Sequence, residues 1–287
     1  MNVWVEAARP RTLPAAVAPV LVGTAAATRF VAWRFAGALV VAVAVQVAVN
    51  YANDYFDGVR GLDTPQRVGP RRAVATGLVA PARMRTGVGV ALGVAAVAGL
   101  ALSAAVGWEL LLVGLACFAA CLAYSGGPRP YASAGLGELF VFVFFGLVAT
   151  VGSAYVHDER VVAVAVAASV PVGMLATAIL VANNLRDIPT DAAGGKATMA
   201  VRLGDRLTRV FYLVLVAGAF LVAAASLPVM TGSLWPLLTV AAVPLSVRPL
   251  RAVASDATGR ELVPALAGTG VLELAFAVLL GVGLVLA

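Results

Sequence analysis

The stretch Asn50-Tyr51-Ala52-Asn53-Asp54-Tyr55-Phe56-Asp57, trailed by Gly61-Leu62-Asp63, closes a long apolar run that begins near residue 35. A second stretch, Asn183-Asn184-Leu185-Arg186-Asp187-Ile188-Pro189-Thr190-Asp191, closes another run that begins near residue 161. The chain has 14 acidic residues in 287, and Asp54, Asp57, Asp63, Asp187 and Asp191 all lie in these two places. Carboxylates at the rim of apolar helices are costly to desolvate, so they mark a functional site.

The composition around them fixes the class. The chain is 62% hydrophobic and only 12% charged, where soluble domains carry about 25% charged residues. So few charges cannot cover a water-facing surface, and the chain is read as a polytopic membrane protein. A spanning helix needs about 20 apolar residues. Nine runs qualify, at 12–28, 35–56, 86–106, 109–125, 135–156, 161–186, 208–229, 234–252 and 264–286. Together they predict an all-α bundle of nine transmembrane helices, one domain over 1–287. Pro14, Pro19, Pro171 and Pro244 are expected to kink their helices. Pro189 is expected to end or kink the sixth, leaving Asp191 loosely placed.

Charge tests this count. With the N-terminus in the cytoplasm, 17 of the 20 Lys and Arg fall on the inner side, leaving only Arg29, Arg34 and Arg160 outside. That asymmetry obeys the positive-inside rule. The expected location is the cell membrane, with the active site facing the cytoplasm and the first helix retained rather than cleaved. The net charge of +6 forms no continuous basic face, so a nucleic-acid partner is excluded. Cys117 and Cys121 read as small buried hydrophobes, too close within one helix to form a disulfide. His157 reads as a solvated loop residue. Oligomeric state and tail length are not legible.

Asn50, Asp54 and Asp57 are spaced i, i+4, i+7 and share a helix face; so do Asn183 and Asp187. Several carboxylates in one mouth repel one another unless a cation joins them. Oxygen ligands of this kind suit magnesium, which binds through one or two carboxylates plus phosphate oxygens. Arg60, Arg67, Arg71, Arg72, Arg186, Lys196 and Arg202 surround the same mouth, and arginine grips phosphate with a bidentate fork. The set predicts a magnesium–diphosphate site. The bland reading is a group of interfacial ion pairs beside anionic lipid.

Asn50 to Pro70 (NYANDYFDGVRGLDTPQRVGP) and Asn183 to Gly204 (NNLRDIPTDAAGGKATMAVRLG) resemble the two aspartate-rich motifs of the UbiA superfamily of intramembrane prenyltransferases. Tyr124 to Pro130 (YSGGPRP), Gly135 to Gly152 and the opening Ala8-Arg9-Pro10-Arg11-Thr12-Leu13 are similar to its 1,4-dihydroxy-2-naphthoate polyprenyltransferase branch. The resemblance implies a nine-helix bundle whose cavity faces the cytoplasm and opens sideways to lipid. It implies transfer of a polyprenyl group from polyprenyl diphosphate to 1,4-dihydroxy-2-naphthoate, with loss of carbon dioxide, on the way to menaquinone.

By match to those motifs, Asp54, Asp57 and Asp187, then Asp191 and Asp63, are the expected magnesium ligands. Asn50, Asn53, Asn183, Arg67, Arg72, Lys196 and Arg202 are expected on the diphosphate. Tyr51, Tyr55, Tyr124 and Phe144 are expected beside the acceptor and the prenyl cation, as are other aromatics of the same runs unless they serve helix packing. Glu138 is read two ways, as an acid–base group or as a helix N-terminal charge. An arginine for the acceptor carboxylate is expected without a named residue. Three rivals stand beside this reading. A transporter would need access from both sides. A CDP-alcohol phosphatidyltransferase would keep its aspartates in one stretch. A related enzyme would use 4-hydroxybenzoate or homogentisate.

Overall fold

The computed structural model describes residues 2–62 and 71–287; Asp63 and Arg67 lie outside them. Among the described residues the regular structure is entirely helical. Hydrocarbon offers backbone groups no partner, so each segment must satisfy its own N–H and C=O groups.

A short amphipathic turn, α1 (Val3–Ala7), leads through a 3-10 turn into α2 (Pro14–Ala26). Then come α3 (Ala32–Val59), α4 (Pro81–Val106), α5 (Glu109–Ser125) and α6 (Gly137–Asp158). The chain ends in α7 (Ala163–Ala193), α8 (Met199–Thr231), α9 (Trp235–Ala254) and α10 (Gly259–Leu286). Seven of these, α3, α4 and α6 to α10, are long and apolar enough to cross a membrane. The expected first and fourth spans are shorter apolar helices, α2 of 13 residues and α5 of 17.

The core is built from α2, α7, α8 and α10, around Val172, Leu175, Tyr212, Leu272 and Phe276. Small residues let these helices approach. A methyl group on Gly146 of α6 would stand 2.5 Å from the Gly173 Cα of α7. Gly146 sits in a π-helical stretch, Phe142–Val148, that widens α6 where it lines the interior.

Two local expectations are corrected. Pro189 does not end its helix: α7 runs on to Ala193. A helical proline sacrifices one hydrogen bond, and here the helix continues past it. His157 is buried, not solvated. Helix α6 reaches Asp158, so the ring packs against the ends of α2 and α3; its Nδ1 accepts from Val31 N–H at 3.1 Å and its Nε2 lies 3.3 Å from Thr24 Oγ1. Around it Glu159 pairs with Arg29 and Arg34, each at 2.8 Å, and Asp158 accepts from Thr28 N–H. Both arginines donate hydrogen bonds to Glu159, and Arg34's, together with their charges, holds its carboxyl below the usual range. This ionic clasp ties off the end of the bundle opposite the acidic motifs.

Candidate active site

The last three turns of α3 and of α7 face a cavity of about 470 Å³. Its polar end is lined by Asn50, Asn53 and Asp57 from α3, by Asn183, Asn184, Asp187 and Asp191 from α7, and by Arg9, Arg72 and Lys196. From there the lining descends α3 to Ala38, about 28 Å at 1.5 Å per residue. The walls along the way are apolar, drawn from α4, α5 and α6. Among the helix pairs that pack extensively, α5 is joined to α3 and α4 but not to α6.

At the polar end a lysine joins the two motifs. Lys196 Nζ donates to Asp57 Oδ2 at 2.8 Å and stands 4.0 Å from Asp191 Oδ1. Arg72 Nη2 donates to Asn53 Oδ1 at 3.0 Å and reaches Asp57 Oδ2 at 3.4 Å. On the other flank Arg186 forks onto Asp187, with contacts of 2.7 and 2.6 Å, and also donates to Asn183 Oδ1 at 2.8 Å. Asp57 and Asp187 are 4% and 3% exposed. Buried carboxylates of this kind persist only when paired, and here cations of the chain pair with both.

Asp54 corrects the expectation. It shares the motif but not the cavity. Its Oδ2 accepts from Ala73 N–H and its Oδ1 from Val74 N–H, both at 2.9 Å, and it is 1% exposed. At 100° per residue Asp57 lies about 20° to one side of Asn50 and Asp54 about 40° to the other. The cavity faces the Asp57 side, which Asn53 and Gln46 also occupy. Both carboxylate oxygens of Asp54 accept from the backbone that follows Arg72, which anchors that segment to α3.

Tyr51 and Tyr55 are corrected likewise. They lie on the far face of α3: Tyr51 donates to Trp4 O at 3.1 Å, and both pack on the cluster around Ala73, Val79 and Met84. Arg202 is exposed, and its Nε donates to Ala197 O outside the cavity. Glu138 is buried and accepts from Asn184 Nδ2 at 2.9 Å; it stands behind the lining rather than in it. Asn50 lines the cavity, but its Nδ2 is spent on Ala8 O and Thr12 Oγ1.

Tyr124 and Phe144 line the cavity as expected, as part of a wall of rings. Tyr124 meets Tyr131 edge-on at 5.4 Å, Tyr131 stacks on Phe140 at 4.0 Å, and Phe140 on Phe144 at 5.9 Å. Burial, with a smaller push from Tyr124, raises the Tyr131 phenol, so it stays protonated and donates to Ala120 O. Sequence reasoning did not single out Tyr131, Asn184 or Arg9 as site residues. Tyr131 directly follows the YSGGPRP motif and Asn184 lies inside a quoted one, so adjacency was the available signal.

The UbiA prenyltransferase family matches residues 16–261 of this chain. The chain belongs to the UbiA prenyltransferase family. Within it, the chain is 47% identical over 279 residues to the 1,4-dihydroxy-2-naphthoate octaprenyltransferase of Mycobacterium tuberculosis, covering 96% of this chain and 94% of that one. It is 38% identical over 261 residues to the protein of that name from Escherichia coli, covering 87% and 84%. The fold matches an apo UbiA homolog from Aeropyrum pernix with a TM-score of 0.70, at 16% identity over 96% of each chain. It also matches a UbiA homolog from Archaeoglobus fulgidus bound to DMAPP and Mg2+, with a TM-score of 0.65, at 14% identity over 99% of each. In this UbiA chain the lysine-bridged mouth and the ring-lined wall open into a single cavity.

Proposed function

We propose that this protein transfers a polyprenyl group from polyprenyl diphosphate to 1,4-dihydroxy-2-naphthoate, with loss of carbon dioxide, in a magnesium-dependent reaction. One observation carries the reading. Carboxylates from two segments 130 residues apart in sequence converge, through Lys196, on the head of a long apolar cavity. The names of the similar naphthoate prenyltransferases support the acceptor.

The donors at that head fit magnesium. Asp57, Asp187 and Asp191, with the amide oxygens of Asn53 and Asn183, offer only oxygen. Among the described residues no three acidic, histidine or cysteine side chains form a ready-made cage. Magnesium keeps few protein ligands and takes the rest from phosphate and water. When bound there, magnesium supplies positive charge to the departing diphosphate.

The chain's own groups do the rest. Lys196 and Arg72 present N–H donors where charge builds on the leaving oxygens. The allylic carbon–oxygen bond breaks, the carbon bonds to the electron-rich ring, and the carboxyl group leaves as carbon dioxide. The ring faces of Tyr124, Phe140 and Phe144 stabilise the cationic carbon. The apolar walls exclude the water that would otherwise capture it.

The protein is a single domain over residues 1–287 and crosses the cell membrane nine times, α2 and α5 included, with the N-terminus and the cavity mouth in the cytoplasm. The 17-to-3 distribution of Lys and Arg supports this. Trp33, Trp108 and Trp235, exposed at the ends of α3, α5 and α9 away from the mouth, suit a membrane interface there. The test is incubation of purified protein with magnesium, polyprenyl diphosphates and a panel of aromatic acids, with products identified by mass. A prenylated naphthoquinol lacking the carboxylate is expected. Product from 4-hydroxybenzoate or homogentisate alone would overturn the acceptor, and no product from any acid would overturn the reaction.

A further inference from the structure

Arg9 is held in a backbone conformation that arginine avoids. Its φ is 53° and ψ 70°, and it is one of two non-glycine residues with positive φ among the described residues. The following residue is Pro10, which steers its predecessor toward extended geometry instead. Such strain persists only where the surroundings enforce it, and it concentrates at functional positions. Here α3 does the enforcing. Asn50 Nδ2 donates to Ala8 O at 2.9 Å and Gln46 Nε2 donates to Thr12 Oγ1 at 2.9 Å. Thr12 in turn donates to Arg9 O through its hydroxyl at 3.0 Å and its backbone N–H at 2.9 Å. Two buried amides thus fix the residues on both sides of Arg9, and Arg9 lines the cavity.

Lys196 and Arg72 sit on Asp57, at the acidic motifs. Arg9, like Asp57 and Asp191, is within electrostatic reach of the Tyr124 hydroxyl, and Tyr124 begins the wall of stacked rings. A flat ring bearing a carboxylate is matched by that pairing: aromatic faces for the ring and a guanidinium fork for the carboxylate.

We propose that Arg9 recognises the carboxylate of the aromatic acceptor, with Tyr131, Phe140 and Phe144 receiving its ring. This rests on the naphthoate prenyl-transfer reading and deepens it. Acceptors with an aromatic carboxylate are selected over ring alcohols without one, and the strained Ala8-to-Thr12 segment is the device that aims the fork.

Two variants test it. Arg9→Gly deletes the guanidinium and accepts positive φ freely, so its melting temperature should equal or exceed that of the starting protein. Arg9→Lys keeps the charge and loses the fork. Each is titrated with 1,4-dihydroxy-2-naphthoate at saturating diphosphate, with diphosphate at saturating acceptor, and with 1,4-dihydroxynaphthalene, which lacks the carboxylate. The acceptor KM should rise about 10- to 100-fold in Arg9→Gly, the range of a lost charged hydrogen bond, and by less in Arg9→Lys. The diphosphate KM and the rate with 1,4-dihydroxynaphthalene should not move. An unchanged acceptor KM, a raised diphosphate KM, or equal loss with the carboxylate-free ring overturns the role of Arg9 while leaving the reaction standing. Starting protein that makes no prenylated product overturns the reaction, and this proposal with it.

Discussion

Asp57 holds two cations at once, and that arrangement is the residue-level signature of the site. Its Oδ2 receives Lys196 at 2.8 Å and Arg72 at 3.4 Å, a density of charge that a diphosphate and its counter-ion can enter by exchange. Asp57→Ala or Asp187→Ala should lower kcat/KM by at least about 10²-fold, the scale of a lost group that stabilises transition-state charge, with the protein still folded by melting. Asp54 predicts the reverse pattern. Asp54→Asn removes one acceptor from two buried N–H groups and should cost about 1–3 kcal/mol of stability. The magnesium concentration for half-maximal rate should stay the same, whereas a metal ligand at Asp54 would raise it steeply. The difference between these neighbours was only half legible in the sequence. The i, i+4, i+7 spacing reveals a shared face. Which edge of that face meets the cavity depends on where the backbone of Ala73 and Val74 returns, and that return is a tertiary fact. Tyr51, Tyr55 and Arg202 lie off the cavity lining for the same reason: motif membership says nothing about rotation around a helix.

At the scale of elements, the apolar runs announced the helices, because hydrocarbon leaves the backbone no other choice. Each of the nine runs corresponds to a helix. Ends were harder to read. Helix α7 passes through Pro189 and α6 extends to Asp158, since packing outweighs local propensity there. Crossings were not legible at all. Nothing in the sequence pairs Gly146 with Gly173, yet a methyl group on Gly146 would meet the Gly173 Cα at 2.5 Å. Gly146→Ala should therefore cost about 1–3 kcal/mol by overpacking, read as a lower melting temperature in detergent. Gly152→Ala, on the same helix with no atom within 4 Å of the added carbon, should leave the melting temperature unchanged.

For the whole molecule, charge and shape agree on direction. The acidic motifs, Lys196 and most of the arginines occupy one end; the ionic clasp of Arg29, Arg34 and Glu159 and the exposed tryptophans occupy the other. Take a protein whose Cys117 and Cys121 are replaced by alanine. A cysteine at position 160 should react with a membrane-impermeant thiol reagent added outside intact cells. A cysteine at position 129 should react only after the membrane is opened. Between the two ends the cavity runs about 28 Å along α3, room for a long apolar tail whose head meets the carboxylates. The overall class was plain from composition, because so few charges cannot surround a soluble core. The cavity itself belongs to the packing and was visible only in three dimensions.

That the two acidic motifs act as one site on one diphosphate is tested most directly by a binding cycle. Affinity for a prenyl diphosphate is measured with and without magnesium in the starting protein, in Asp57→Asn, in Asp187→Asn and in the double variant. Magnesium-dependent binding is expected that either single change largely abolishes, with little further loss in the double variant. Binding that persists in both single variants, or losses that simply add, would contradict it.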